Sequence, residues 1–178
     1  MRFRRCNCIV VFNKNKEKLL FCKRAKNPYK GLLNFVGGKV ESEETSEHAA
    51  YRELFEETGI SKRDIKLQRL MDMTYYQQQF VLEMYVGILE DDVPLIEEVN
   101  SLEWISIEDD FADSNGYAGD KNIIKRRNQP VRQADQAPLG IFVFEVIDLA
   151  QRRKSPHGIV LRQGRLLFAY DCITVRFA

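Results

Sequence analysis

The stretch GGKVESEETSEHAAYRELFEETGI, residues 37–60, holds seven glutamates against one lysine and one arginine. This is a high density of negative charge for a chain whose formal net charge is only +1. At about 100° per residue, Glu53, Glu56 and Glu57 fall on one face of a helix. Like charges placed so close together repel one another, so the stretch predicts a cation that neutralises them.

The same stretch contains the local signals that begin and end a helix. Thr45 and Ser46 are good N-cap residues, and Gly59 is well placed to stop the helix. We therefore predict a helix at about 45–58.

Carboxylate oxygens are the ligands that a hard divalent cation prefers. An ion pair within the helix would need a lysine or arginine four residues after a glutamate. Ile60 and Ser61 stand at those positions after Glu56 and Glu57. The pattern therefore favours a metal site, with a solvated acidic helix face as the alternative.

Two further features of the stretch fit such a site. Arg52 can pair with Glu44 or with the ligand glutamates and hold their rotamers. Gly37 and Gly38 permit a backbone turn that brings main-chain groups close to a metal or a phosphate.

The spacing of these residues resembles the signature of the Nudix hydrolase superfamily. Its defining positions are all filled, by Gly38, Glu44, Arg52, Glu53, Leu54, Glu56, Glu57, Gly59 and Ile60. The resemblance implies an α/β fold, an α/β/α sandwich around a mixed β-sheet whose catalytic helix is the one predicted above. It also implies hydrolysis of a nucleoside diphosphate linked to another group, with Mg²⁺ or Mn²⁺ as the cofactor.

The resemblance implies a role for each residue of the site. The metal would be held by Glu53, Glu56, Glu57, Glu98 and the main chain at Gly37. Glu53 or Glu98 would take the proton from the attacking water, with Glu56 and Arg52 as further catalytic residues. Three further residues would have a structural role and hold the ligands in place: Gly38, Glu44 and Gly59.

The segment before the helix bears on the substrate. LNFVGGKV, residues 33–40, is similar to the same segment in MutT-type enzymes, which hydrolyse oxidised purine nucleoside triphosphates. There an asparagine at the position of Asn34 reads the edge of the base, and the alternative is a turn or strand-edge residue. Lys39 and Arg24 could stabilise charge on the phosphates, or they could be solvated surface residues.

A glutamate after the helix extends this resemblance. Glu98 lies six residues before Trp104, where MutT-type enzymes carry a glutamate that joins the metal site or activates water. Glu97 is its neighbour, so the match holds to within one position. A solvated acidic loop is the alternative.

The region after Trp104 contains a second candidate for base recognition. Asp120 lies near the place where the family has a residue that reads the purine, with Asp113 and Asp135 as competitors and a helix N-cap as the alternative role. HGIVLRQGRLLFAY, residues 157–170, resembles the last hairpin of the vertebrate members of this group.

The expected substrate is therefore a purine nucleoside triphosphate, normal or oxidised, such as 8-oxo-dGTP, which would yield a nucleoside monophosphate and pyrophosphate. A dinucleoside polyphosphate or another nucleoside-diphosphate derivative is the second possibility, for which Tyr75 and Tyr76 are a slight indication. ADP-ribose hydrolases tend to carry a proline soon after the motif, and none occurs between Ile60 and Pro94. A non-catalytic module that binds a nucleotide or an RNA 5′ end would usually have lost some of the glutamates present here.

The order of strand and helix patterns predicts one domain, residues 1–178. Strands are predicted at 8–12, 19–23, 32–36, 66–76, 80–89 and 102–107. An irregular segment or insertion is expected at about 108–140, and a closing hairpin at about 157–177 with its turn at 163–164.

Composition excludes several other classes of protein. No apolar run approaches the roughly 18 residues that span a bilayer, so no membrane association is expected. The balanced charge makes stable nucleic-acid binding unlikely as a function, and nothing predicts an oligomeric state. The four cysteines lie in apolar or alternating contexts, which indicates reduced thiols in a cytoplasmic protein.

Overall fold

The computed structural model describes residues 3–27, 29–109, 111, 115–118, 165–168 and 173–177. Predictions for Asp113, Asp120 and Asp135, and for most of the segments 108–140 and 157–164, lie outside these residues. No helix in the described part of the chain is long and apolar enough to cross a lipid bilayer.

The described strands form a mixed sheet with a helix against it. In chain order the elements are β1 (Arg4–Phe12), β2 (Lys18–Lys23), β3 (Leu33–Asn34), α1 (Ser46–Thr58), β4 (Gln68–Tyr75), β5 (Phe80–Ile88), β6 (Ser101–Ser106), β7 (Arg165–Phe168) and β8 (Ile173–Phe177). The sheet order is β3-β2-β1-β5-β4-β8-β7, and β6 pairs with β2. β1 and β5 run parallel and the other strand pairs are antiparallel, which confirms the predicted α/β fold with a mixed sheet.

Strands β1 and β3 differ in length from the prediction, each because of a tertiary contact. β1 begins at Arg4 because its first residues already pair with β5. β3 is only two residues long, because the chain then leaves β2 and Val36 bridges to Ile9 of β1. In the predicted closing hairpin, β7 and β8 pair antiparallel with each other, and both lie within the second predicted arm. The predicted turn at 163–164 lies outside the described residues.

The sheet buries both of its faces. Because successive side chains of a strand point to opposite sides, β1 contributes Ile9 and Val11 to one face and Val10 and Phe12 to the other. α1 packs on the Ile9 face. The opposite face holds an aromatic cluster that includes Phe21, Phe35, Tyr75 and Phe111.

The α1 face also contains a buried charge that the sequence reading missed. Glu83 of β5 is 1% exposed, and its Oε1 accepts a hydrogen bond from Arg5 Nε at 2.8 Å. The guanidinium of Arg69 lies 3.4 Å from the same oxygen. A glutamate in the otherwise apolar strand FVLEMYVGI was the available signal, since buried carboxylates need a partner.

Three of the four cysteines lie in the described residues, Cys6, Cys8 and Cys22, and all three are free thiols. Cys8 and Cys22 are buried, and burial raises their pKa values to about 12 and about 11, respectively. Thiols in this state are poor nucleophiles at neutral pH, because the reactive form is the thiolate.

Candidate active site

The helix α1 has the ends that its sequence predicts. Thr45 is the N-cap, and its Oγ1 accepts a hydrogen bond from the His48 amide at 3.2 Å. Gly59 takes a left-handed conformation with φ 75°, and its amide donates to the Phe55 carbonyl at 2.8 Å. Leu54 is fully buried against the sheet, which fixes the rotation of the helix and so the direction of its glutamates.

Two of those glutamates lie against the segment before the helix. Oε2 of Glu57 accepts a hydrogen bond from the Gly37 amide at 3.1 Å. The carboxylate of Glu53 occupies the space that a side chain at Gly38 would need, because a Cβ there would lie 2.2 Å from Glu53 Oε2. Gly38 is therefore required by the close approach of a carboxylate to the main chain.

Strand β1 holds this glycine pair in place. Oδ1 of Asn7 accepts a hydrogen bond from the Gly38 amide at 2.9 Å, and the Asn7 amide donates to the Gly38 carbonyl at 2.8 Å. Gly37 has φ 141°, and a Cβ on it would lie 2.5 Å from the Asn7 carbonyl oxygen. The sequence reading missed Asn7, although an asparagine within the apolar run CNCIVVF was a visible irregularity.

Arg52 connects the helix to the segment before it. Its Nε and Nη2 donate to the two carboxylate oxygens of Glu44 at 3.1 and 2.7 Å, and Nη2 also donates to the Lys39 carbonyl at 3.0 Å. Nη1 donates to Glu53 at 2.9 Å and to Glu56 at 3.0 Å. Both pairings expected for Arg52 are therefore present in one side chain.

These bonds set the protonation of the arginine and of its partner. The hydrogen bonds from Arg52 lower the pKa of Glu44 from 4.5 to about 2. The hydrogen bond to Glu44 is likewise the main reason that the pKa of Arg52 is raised. Both groups are thus charged at neutral pH, as a charge-assisted pair requires.

Glu53 and Glu57 have the opposite electrostatic character. Burial raises the pKa of the Glu53 carboxyl, against the lowering effect of Arg52. Burial also raises the pKa of Glu57 from 4.5 to about 7; the Gly37 hydrogen bond opposes this shift, and the negative charges of Glu53 and Glu98 add to it. Nearby positive charge is therefore insufficient to stabilise the ionised forms of these two carboxyl groups fully.

The donor set fits a hard divalent cation in its chemistry. Glu53 and Glu57 supply carboxylate oxygens, the preferred ligands of Mg²⁺ and Mn²⁺, and a cation would relieve the cost of holding both ionised. Within the described ranges no three acidic, histidine or cysteine side chains are gathered into a ready-made metal cluster. Arg52 binds oxygens of Glu53 and Glu56 instead.

A cavity of about 450 Å³ is lined in part by Gly37, and we call it the aromatic cavity. Seven aromatic rings line it: Phe21, Tyr29, Phe35, Tyr75, Phe80, Phe111 and Tyr117. Phe21 stacks on Phe35 with centroids 4.5 Å apart, and Tyr75 stacks on Phe80 at 4.4 Å. Asn34 also lines this cavity, and its predicted role in reading the base edge stays a prediction. The sequence alone did not bring the rings together, because four separate segments supply them.

A second cavity, of about 520 Å³, lies between the end of β2 and the loop before β6, and we call it the basic pocket. Its lining includes Lys23, Arg24, Lys30, Glu97, Glu98 and Asn100. Asn100 Oδ1 accepts a hydrogen bond from the Ala25 amide at 2.9 Å, which ties the loop to the strand end. Arg24 and Glu98, predicted separately, thus meet in one pocket, whereas the exposed Lys39 lines neither cavity.

Comparison with known proteins shows a family match and several relatives. The NUDIX domain family matches residues 1–126. The 8-oxo-dGTP diphosphatase of Escherichia coli (strain K12) is 29% identical over 110 residues, which are 60% of this chain and 85% of that protein. The NAD-capped RNA hydrolase NudC of Haemophilus influenzae (strain PittEE) is 32% identical over 111 residues, 57% of this chain and only 39% of NudC.

A shorter match and the solved structures complete the comparison. The ADP-ribose pyrophosphatase of Methanocaldococcus jannaschii is 51% identical, but over 44 residues that are 25% of this chain and 26% of that protein. The NUDIX domain of Shewanella oneidensis NrtR, solved with ADP ribose, has a TM-score of 0.53 at 17% identity and covers 87% of this chain and 90% of its own. That likeness shows the fold. With its glutamate-rich helix, its paired glycines and this family match, the chain belongs to the NUDIX domain family and is a hydrolase of pyrophosphate linkages.

Proposed function

We propose that the protein hydrolyses purine nucleoside triphosphates, including oxidised ones such as 8-oxo-dGTP, to a nucleoside monophosphate and pyrophosphate. The observation that carries this proposal is the position of the aromatic cavity. Gly37 lines that cavity and also donates its amide to Glu57, so a base in the cavity would have its phosphates beside the glutamates. The identity with the Escherichia coli 8-oxo-dGTP diphosphatase, over most of that protein's length, supports the same substrate class.

The cavity has the chemistry that a purine needs. Its rings offer stacking surfaces, and a base stacked on an aromatic side chain contributes about 1–3 kcal/mol in proteins that bind single-stranded nucleic acids. The Asn34 oxygen accepts a hydrogen bond from the Phe35 amide at 3.0 Å, so the oxygen side of the carboxamide is oriented by the main chain. The NH₂ group of Asn34 would then donate a hydrogen bond to a carbonyl oxygen on the edge of the base.

The glutamates would hold the metal, and the chain supplies the proton acceptor. Glu53, Glu56, Glu57, Glu98 and the main chain at Gly37 would bind Mg²⁺ or Mn²⁺, which neutralises phosphate charge and lowers the pKa of a bound water. Glu53 would accept the proton of the attacking water, because its pKa is raised by burial while Arg52 holds its carboxylate in one orientation. Glu98, at the rim of the basic pocket, is the second candidate for this role.

A substrate panel tests the proposed reaction. Phosphate and pyrophosphate release would be measured with Mg²⁺ from normal dNTPs, oxidised dNTPs, dinucleoside polyphosphates and ADP-ribose. We expect the highest kcat/KM with a purine triphosphate and pyrophosphate as its product. A higher kcat/KM with a dinucleoside polyphosphate or ADP-ribose would replace the proposal by the second substrate class, and no release from any compound would favour a binding module.

Asn34→Ala tests the base-reading role separately from the chemistry. We expect a higher KM for purine triphosphates with kcat and the Mg²⁺ dependence nearly unchanged, because the side chain lines the cavity and its oxygen is bonded to the Phe35 amide. Asn27→Ala is the matched control, since Asn27 is exposed and lines neither cavity. An unchanged preference for purines over pyrimidines would remove Asn34 from the base site.

A further inference from the structure

Two buried polar atoms on neighbouring strands have no hydrogen-bond partner among the residues that the structure describes. One is Nδ2 of Asn7 in β1, and the other is Oε2 of Glu83 in β5. Asn7 is 4% exposed and Glu83 is 1% exposed, so bulk solvent does not satisfy either atom. Buried polar groups of folded proteins nearly always have a partner, because a donor or acceptor left alone costs free energy.

The two atoms are complementary and lie on the same side of the sheet. Asn7 and Glu83 are direct partners in the parallel register of β1 with β5. Adjacent strands lie about 4.8 Å apart, and side chains that are paired in register point to the same face. Because Nδ2 is a donor and Oε2 is an acceptor, one hydrogen bond between them, or one buried water that bridges them, would satisfy both.

The opposite ends of both side chains are already engaged. Oδ1 of Asn7 accepts a hydrogen bond from the Gly38 amide at 2.9 Å. Oε1 of Glu83 accepts one from Arg5 Nε at 2.8 Å, and a nitrogen of the Arg69 guanidinium lies 3.4 Å from it. If the Asn7 carboxamide turned around, its NH₂ group would face the Gly38 amide, donor against donor. An acceptor at the NH₂ end therefore keeps the oxygen of Asn7 on Gly38.

We propose that Glu83 is a positioning residue of the active site, which acts through Asn7 by holding the NH₂ end of its carboxamide. Asn7 in turn holds Gly38, and the Glu53 carboxylate fills the space beside Gly38. Glu83 itself lines neither cavity, so it affects the reaction only through the position of other groups. This inference rests on the hydrolase activity of the family and not on the purine specificity proposed above.

Nuclear magnetic resonance tests the contact without turnover. We would compare the resonances of the Asn7 side-chain NH₂ and the Gly38 amide in wild type, Glu83→Gln and Asp72→Asn. In Glu83→Gln the arginine donors retain the amide oxygen, so an NH₂ group replaces the acceptor that faces Asn7, and both resonances should move. Asp72→Asn is the matched control, because it removes the same charge from the register partner of Glu83 on β4, and both resonances should stay in place.

Kinetics with the best substrate of the panel tests the effect on the reaction. In metal sites, loss of a partner that orients an active-site group typically costs about 10- to 100-fold in activity. We therefore expect kcat to fall about tenfold in Glu83→Gln and to stay within about twofold of wild type in Asp72→Asn. If Glu83 acts through Asn7, Glu83→Gln should lower kcat by less than about twofold in an Asn7→Ala background.

Two results would overturn the inference. One is a set of unchanged Asn7 and Gly38 resonances in Glu83→Gln. The other is a decrease in kcat by the same factor in the wild-type and Asn7→Ala backgrounds, which would indicate a purely structural role for Glu83.

Asn7→Asp gives a second test if Glu83→Gln does not fold. It keeps an oxygen for the Gly38 amide and replaces the NH₂ donor by an oxygen that faces Glu83, so kcat should again fall about tenfold. Wild-type kcat in Asn7→Asp would overturn the inference. The resonances are measured without substrate, so the absence of purine triphosphate hydrolysis in the panel would refute the proposed function and leave the positioning role standing.

Discussion

The replacement of Gly38 by alanine separates the catalytic geometry of the site from its stability. The new Cβ would lie 2.2 Å from Oε2 and 2.5 Å from Oε1 of Glu53, whereas ordinary contacts begin at 3.4 Å. The Glu53 carboxylate must therefore move by about 1 Å, and a displacement of that size in a reacting group can cost about 100-fold in rate. The atoms in the way are the end of a side chain, so the fold itself should change little.

Gly37→Ala is the contrasting variant. Its clash is with the main-chain carbonyl oxygen of Asn7 at 2.5 Å, and its φ of 141° is strained for any residue with a Cβ. We expect Gly37→Ala to lower the free energy of unfolding by about 2 kcal/mol or more. Gly38→Ala should retain a near wild-type unfolding midpoint while its kcat falls about 100-fold.

We would measure kcat from pyrophosphate release with the best substrate of the panel. The free energy of unfolding would come from urea unfolding followed by circular dichroism. A double-mutant cycle with Glu53→Gln tests the cause. If Gly38 acts only through Glu53, alanine at position 38 should have little further effect in the Glu53→Gln background. Wild-type activity in Gly38→Ala would refute the reasoning. So would a decrease in kcat by the same factor in the wild-type and Glu53→Gln backgrounds.

Three other variants test the remaining parts of the site. Glu57→Gln should lower kcat by about 10³-fold with cooperative unfolding retained, as steady-state kinetics and circular dichroism would show; an unfolded variant would indicate a structural role for the glutamates. Glu44→Gln should remove stability that depends on pH: because folding lowers the pKa of Glu44 from 4.5 to about 2, its ionised form stabilises the protein above 4.5 and this stabilisation is lost as the pH falls toward 2. The difference in urea midpoint between wild type and Glu44→Gln should therefore shrink across that range, and a constant difference would contradict the assignment. Leu54→Ala should cost about 2–5 kcal/mol in urea unfolding, because Leu54 is fully buried beneath the catalytic helix; a cost well under 1 kcal/mol would mean that the helix is seated by other contacts.

The parts of the site that sequence could predict are those held by local contacts. Thr45 and Gly59 mark the ends of α1 by their own side-chain and backbone preferences, so the helix could be placed to within a residue. The pairing of Arg52 with Glu56 follows from their spacing of four residues on one helix. Such features do not depend on where the rest of the chain lies.

The parts that sequence could not predict depend on the pairing of distant strands. Asn7 reaches Gly38 only because the segment after β3 runs antiparallel to β1. Phe21 and Phe111 likewise contact each other although they lie in separate segments, whereas the stack of Tyr75 on Phe80 follows from the local register of the β4–β5 hairpin. A ring or an amide within a strand pattern says which face it can occupy, but not which neighbour it will meet.

The parallel pairing of β1 with β5 has a consequence for how the site comes into being. Every register pair between these strands joins residues that are 76 positions apart, from Arg4 with Phe80 to Phe12 with Ile88. Closing so long a loop is entropically costly and slow, so the centre of the sheet should form late in folding. A chain released before Phe80 would carry every glutamate of the catalytic helix and lack the strand that completes the sheet beneath it. We therefore expect that the nascent chain gains activity only after β5 has been synthesised, although the sequence signature of that activity is complete by residue 60.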